Sequence, residues 1–270
     1  MIEAFLLIII FVLGIYFGSF YTLASYRIPK HENITHKHSY CPSCNHKLGV
    51  LDLIPVFSFL FLGGKCRYCK RNIGIRYFLF ELLTGITFVL FAVSLKIDIY
   101  NLNLNIIIYF ILAILYFTSL FIIAGIDKEK NIISKSVLIY GVFVSVIYMI
   151  YSYTLTKANV YAYVIYLCFM MVLLFLDIKL LKKNLKYNYF IQVLILVLYM
   201  LIFSGIYTVI YTIIFTILSI GFKNILLFFR KNKSKVVTTN AKTPIGFFLC
   251  IANILVIIVT NFITNYIAYI

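Results

Sequence analysis

Eight apolar runs, each about as long as a bilayer core is thick, constrain this chain more than any other feature. They lie at about 4–23, 77–95, 104–125, 132–152, 159–178, 188–206, 208–229 and 245–268. In lipid a backbone must satisfy its own hydrogen bonds, so runs of this length are read as helices. The sixth and seventh form one stretch from Tyr187 to Phe229, interrupted at Ser204-Gly205. That stretch is about twice one crossing, which predicts a tight hairpin there. Only 12% of the residues are charged, about half the share of a soluble domain. The expected fold is an all-α polytopic membrane protein with eight transmembrane helices, lipid covering most of its surface. The first run lacks a basic leader and a small-residue cleavage site, so it is expected to be a retained span.

The net charge of +16 has a topological reading. Residues 24–76 carry nine basic side chains, from Arg27 to Arg76. The loops at Lys128–Lys135, Lys179–Lys186 and Lys223–Lys242 carry three, four and six, whereas Lys96 and Lys157 stand alone in the intervening loops. Twenty-two basic residues thus alternate with two. The positive-inside rule puts the richer set in the cytoplasm and both termini outside. Nucleic acid is not expected as a partner, because the charge lies in short loops rather than on a binding face.

The first cytoplasmic loop holds Cys41-x-x-Cys44 and, after twenty-one residues, Cys66-x-x-Cys69. Two such pairs complete a tetrahedral shell of four sulfurs, which suits Zn²⁺. Disulfides are disfavoured in the cytoplasm, and four thiolates leave no open position, so the expected zinc is structural. His31, His36, His38 and His46 lie nearby, so a histidine ligand is an alternative. Cys168 and Cys250 fall inside spans and are expected to pack in the core. Between the pairs runs "VLDLIPVFSFLFL" (50–62), too short to cross and interrupted by Asp52 and Pro55. It is expected to form a helical piece against the bundle or the interface. The domain reading is a first helix at 1–23, a zinc-binding cytoplasmic module at 24–76 and a seven-helix bundle at 77–270.

The chain has only eight acidic residues, and three occupy telling positions. Asp127 ends the third span, Asp177 ends the fifth, and Glu81 lies one turn into the second. The topology puts all three at cytoplasmic ends. Asp127 and Asp177 suit a carboxylate pair that shares one proton, base beside acid, within hydrogen-bond reach directly or through one water. Each also suits a solvated helix end, since lysine follows within two residues. Glu81 is flanked by apolar residues, and an intramembrane carboxylate is a functional candidate by default.

Taken in order, "GSFYTLASYRIP" (18–29), "CPSCNHKL…DLIPVFSFL…GKCRYCKRNIGIRYFLFELLTG" (41–85), "AGIDKEKNII" (124–133), "LDIKLL" (176–181) and "TPIGFFL" (243–249) closely resemble the type IV prepilin peptidases. That family comprises eight-span aspartyl endopeptidases of the cell membrane. They cut prepilins or pseudopilins at the cytoplasmic face and then N-methylate the new amino terminus with S-adenosylmethionine. The resemblance implies catalytic roles for Asp127 and Asp177, zinc ligation by Cys41, Cys44, Cys66 and Cys69, and an unassigned role for Glu81. Three departures are visible. The family's Gly-x-Gly before the second aspartate reads Leu174-Phe175-Leu176. The Pro-Asp or Pro-Asn after the first reads Ser134-Lys135. The Asn-Val near the end of the first span reads Thr22-Leu23. They leave open a family member that has lost proteolysis and serves as a membrane adaptor for pilin assembly. A transporter with a carboxylate proton relay would need broken helices at the midplane, which the spans do not suggest.

Overall fold

The computed structural model describes residues 2–34, 38–97, 103–156, 160–180, 185–233 and 243–267. It is all-helical, with two isolated β-bridges and no strand among these residues. The helices are α1 (Ile2–Arg27), α2 (Phe57–Phe61), α3 (Ile75–Ser94), α4 (Leu104–Lys130), α5 (Lys135–Thr156), α6 (Val160–Leu180), α7 (Leu185–Ser204), α8 (Ile206–Lys233) and α9 (Ile245–Phe262).

Six of them, α1, α3, α4, α5, α8 and α9, are long and apolar enough to cross a membrane. The fifth and sixth expected spans appear as the shorter apolar helices Tyr161–Asp177 and Asn188–Ser204. As whole helices, α6 with 21 residues and α7 with 20 rise about 30 Å, the thickness of a bilayer core. The expected break between the sixth and seventh runs lies at Gly205, whose φ of +82° is cheap only without a Cβ. Its amide closes α7 on the Leu201 carbonyl, and α8 starts at the next residue.

The chain divides into two compact units, residues 1–110 with 261–270, and residues 111–260. In the first, α1 packs along α3. A side chain at Gly14 would meet the Gly85 backbone at 2.7 Å, and one at Gly18 would meet the Glu81 Cα at 2.8 Å. Gly14 and Gly18 are therefore the small-x-x-x-small pair that lets two apolar helices touch backbone to backbone. That spacing is legible in the sequence itself.

The second unit has the more deeply buried core. α4 turns Tyr116, Phe117, Leu120, Ile123 and Ala124 inward, and α7 contributes Ile195, Leu196 and Tyr199. A buried polar chain runs through it: the Tyr116 hydroxyl donates to Asn253 Oδ1 at 2.8 Å, and Asn253 Nδ2 donates to Thr212 Oγ1 at 3.1 Å. Asn253 is fully buried, so these partners satisfy an amide that would otherwise cost several kcal/mol in such surroundings. Cys250 is buried as expected. Cys168 is exposed instead, because α6 turns that face outward, which its apolar sequence does not reveal.

Candidate functional site

The cysteine module in the first unit is built from two copies of one small loop. Cys41 donates its amide to the His46 carbonyl at 3.0 Å, and Asn45 donates to the Cys41 carbonyl at 2.8 Å. Twenty-five residues later Cys66 donates to Arg71 at 2.9 Å, and Lys70 donates to Cys66 at 3.0 Å. Each loop is closed by an antiparallel bridge, Tyr40 with Lys47 and Lys65 with Asn72. Each carries a left-handed residue just after its second cysteine, Asn45 at φ 57° and Lys70 at φ 58°. This conformation turns the chain back so that both sulfurs of a pair face one point.

All four sulfurs lie within 4.8 Å of one another, and Cys41 Sγ is 3.9 Å from Cys69 Sγ. A tetrahedral zinc with bonds of about 2.3 Å needs sulfur–sulfur edges of about 3.8 Å. The cluster therefore fits a metal ion. Burial works against ionising Cys41, but the Ser43 and Cys44 amides and the neighbouring thiols outweigh it and bring that thiol down to about 6. The His46 amide favours the Cys44 thiolate, yet burial and the Cys41 and Cys69 sulfurs push it up to about 11. Four thiolates without a cation repel one another, and a bound divalent ion removes that conflict. Among the described residues no histidine joins the cluster; the His46 ring lies against Tyr68 instead, with centroids 3.6 Å apart.

The apolar insert between the loops takes the expected form of short helical pieces, a 3-10 turn at Val50–Asp52 and then α2. Its large side chains remain open, with Phe61 86% exposed, as suits a surface facing lipid. Two carboxylates pin it down. Asp52 accepts from Arg67 Nε at 2.6 Å and from the Gly49 amide at 3.1 Å, tying the insert to the second cysteine loop. Glu81 on α3 accepts the Val56 amide at 2.7 Å. Val56 sits at φ 64°, an unfavourable conformation for a β-branched residue, and the Glu81 carboxylate helps hold it. The Phe59 ring stacks on Phe78 of α3, 5.1 Å away. Between α1, α3 and the module lies a cleft of about 520 Å³, walled by Tyr16, Phe20, Tyr26, Phe59 and Tyr77, with Glu81 on its lining. Arg27 closes the end of α1. It is buried, and its guanidinium donates to the carbonyls of Asn33, Ile34 and His38.

The second unit holds both aspartates. Asp127, in the last turn of α4, is fully buried, and Asp177, near the end of α6, is 4% exposed. Neither is a solvated helix end, although lysines follow both in sequence. The Tyr189 hydroxyl on α7 donates to Asp127 at 3.0 Å, and the Phe247 amide donates to Asp127 Oδ2 at 2.9 Å. Tyr189 in turn accepts the Gly246 amide at 3.2 Å. The N-terminal turn of α9 thus presents free amides to a carboxylate, an arrangement that helix ends favour. A side chain at position 246 would meet Asp127 Oδ2 at 3.0 Å, which explains a glycine in "TPIGFFL".

Asp177 has a different partner. Lys135, the first residue of α5, places its Nζ 2.6 Å from Asp177 Oδ2 and 3.4 Å from the Asp177 carbonyl. Asp177 Oδ1 is buried and has no hydrogen-bond partner among the described residues. The hydrogen bonds of the two carboxylates therefore go to separate groups. Leu174, Phe175 and Leu176, which stand where the related motif has Gly-x-Gly, continue α6 as regular helix, with Phe175 turned outward. Sequence reading missed three participants here, Tyr189, the α9 amides and Lys135. The "TPIGFFL" motif pointed to the second, whereas Tyr189 is one of 23 tyrosines and carried no signal.

Comparison with known proteins bears on this arrangement. Residues 12–95 match the family model described as the bacterial peptidase A24 N-terminal domain. The chain is 34% identical over 139 residues to a prepilin leader peptidase/N-methyltransferase of Bacillus subtilis (strain 168), covering 50% of this chain and 51% of that one. It is 42% identical over 81 residues to a protein of the same name from Myxococcus xanthus (strain DK1622), 30% of this chain and 24% of the relative. A third, from Klebsiella pneumoniae, is 39% identical over 87 residues, 30% of this chain and 38% of the relative. The chain thus spans about half the length of the first of these curated relatives and less of the others. No solved structure matches. This multi-pass membrane chain is thus similar to prepilin leader peptidase/N-methyltransferases over up to half its length, and its residues 12–95 match an A24 N-terminal domain.

Proposed function

We propose that this chain removes the leader peptide of type IV prepilin-like proteins at the cytoplasmic face of the cell membrane and N-methylates the residue that cleavage exposes. The observation that carries the peptidase half is the burial of two aspartates at helix ends of one compact unit. Buried carboxylates in an apolar bundle are costly, and both persist here with dedicated partners. In this reading Asp127 and Asp177 act as acid and base on a water that attacks the scissile carbonyl, so no nucleophilic side chain is needed. The substrate is a short basic leader followed by an apolar helix lying beside the bundle.

The methyl-transfer half belongs in this reading to the first unit. The aromatic walls of its cleft suit a cationic sulfonium, and a volume of about 520 Å³ falls in the range of small-molecule sites. S-adenosylmethionine would supply the electrophilic methyl group, with Tyr26, Tyr77 and Glu81 lining its place. Zn²⁺ would be held by Cys41, Cys44, Cys66 and Cys69 as a structural ion that fixes one wall of the cleft. The eight-span count, both termini outside and a cytoplasmic module at 24–76 complete the proposal.

Purified protein in nanodiscs, incubated with a prepilin, tests it. Shortening of the substrate should need no cofactor, and a mass gain of one methyl group should need S-adenosylmethionine. Unshortened substrate in both arms would sink the peptidase half. A chain that cleaves no prepilin, with an Asp177→Asn variant that supports pilin assembly like wild type, would return the adaptor reading.

A further inference from the structure

We propose that Lys135 is a positioning residue that holds Asp177 as the carboxylate, which makes Asp177 the base and Asp127 the acid of the reaction. The inference rests on the peptidase reading above and adds the assignment that reading leaves open. Its basis is an asymmetry of partners. Lys135 Nζ is 2.6 Å from Asp177 Oδ2, so the positive charge of a partly exposed lysine faces a buried carboxylate. Asp127 is more deeply buried and, among the described residues, meets neutral donors, the Tyr189 hydroxyl and the Phe247 amide. Neutral donors stabilise an anion less than an adjacent cation does, and the difference widens where water is excluded. When the two aspartates hold one proton between them, it therefore resides on Asp127.

Among the described residues the one ion-pair partner of Asp177 is Lys135 from α5. α7 packs on α6, and its Tyr189 hydroxyl donates to Asp127. Lys179 follows Asp177 by two residues, and its side chain lies outside the described residues. Position 135 is also one where the sequence departs from the related motif, which has an acidic or amide residue after proline. The departure puts a counter-ion beside the catalytic candidate.

The proton balance closes with these roles. Asp177 takes a proton from water as its oxygen bonds to the scissile carbon, and Asp127 gives its proton to the carbonyl oxygen. In collapse, one hydroxyl proton of the tetrahedral intermediate returns to Asp127. The carbon–nitrogen bond breaks, and the proton on Asp177 leaves with the amine. Asp177 Oδ1, the oxygen that Lys135 does not touch, is the acceptor left for water.

Two measurements on the full chain in nanodiscs test this. In a prepilin cleavage assay, Lys135→Met should lower kcat about a hundredfold with KM changed less than about threefold, and Lys135→Arg should restore most of it. Equal loss in both variants, or a gain in Lys135→Met, would overturn the proposal, because shape rather than charge would then matter. Infrared spectroscopy in an Asp127→Asn background gives a readout independent of activity. At neutral pH, Lys135→Met should reveal a protonated carboxyl stretch that is absent with Lys135 and disappears in Asp177→Asn. No such band would overturn the proposal even if cleavage fell. A wild-type chain that cleaves no prepilin would defeat the peptidase reading, while the infrared result would still decide the charge held on Asp177.

Discussion

The cysteine module and the aspartate site are assembled in opposite ways. The four sulfurs come from two loops of about eight residues, each closed by its own bridge and its own left-handed turn. The surroundings of Asp127 and Asp177 come from α4, α5, α6, α7 and α9, with Asp127 and Phe247 separated by 120 positions. A locally built site keeps its geometry when distant helices move. A site shared among five helices depends on every one of them, and a change in any shifts a donor relative to its carboxylate. The comparison teaches where to expect tolerance and where to expect coupling.

The largest expected effect breaks one site and spares the other. Asp127→Asn should abolish cleavage, a loss of about 10⁴-fold, because its role requires a titratable oxygen acid. Metal analysis of the same variant should still find about one zinc per chain. Loss of zinc along with cleavage would mean that the two sites are not independent. The reciprocal change is Cys41→Ser with Cys66→Ser. It should release the metal and speed hydrogen exchange across residues 41–69, while circular dichroism of the spans stays unchanged, since each helix satisfies its own backbone.

Tyr189→Phe sharpens the contrast at a smaller scale. It removes the hydroxyl that donates to Asp127 and leaves the Gly246 amide without that acceptor. Cleavage should fall about tenfold, in keeping with one lost hydrogen bond. A local change in the first unit provides the counterpart. Gly18→Val would drive a side chain into the α3 backbone at Glu81, so thermal unfolding monitored in the first unit should occur a few degrees lower. An unchanged midpoint would show that α1 and α3 slide apart at little cost.

The smallest effect concerns pH. Burial raises the Asp52 carboxyl, but the hydrogen bond and charge of Arg67 and the Gly49 amide outweigh it and hold the group below its ordinary range. A lowered folded value means that the tie stabilises the module fully above the unfolded value of about 3.9 and is lost as pH falls through the folded one. Asp52→Asn should therefore lower the exchange protection of residues 49–53 at neutral pH and make that protection insensitive to acidification. Protection that still falls with acid in that variant would place the titration elsewhere.

The physical distance between partners also set what was readable. The spacing of the cysteines is a local code, and it specified four converging sulfurs without help from the rest of the chain. Apolar runs are local as well, so the helices and the break at Gly205 followed from length and composition. Asp127 and Asp177 stood out by position and resemblance, but position alone favoured a solvated helix end. Burial excludes that end, and burial depends on helices that sequence proximity does not reveal. The Glu81 contact to Val56 was likewise invisible, because it joins α3 to a strained turn 25 residues away.

By itself, the sequence determined an all-helical membrane chain, the cysteine cluster and the identity of the acids worth watching. These follow from periodicity, length and short-range spacing, which act along the chain. Only the tertiary structure decided that Lys135 faces Asp177, that Tyr189 and the first turn of α9 face Asp127, and that Gly14 and Gly18 let α1 lie against α3. Those facts depend on which face each helix turns inward. A helix that is apolar all round gives no such direction in its own residues, so the packing of its neighbours supplies it.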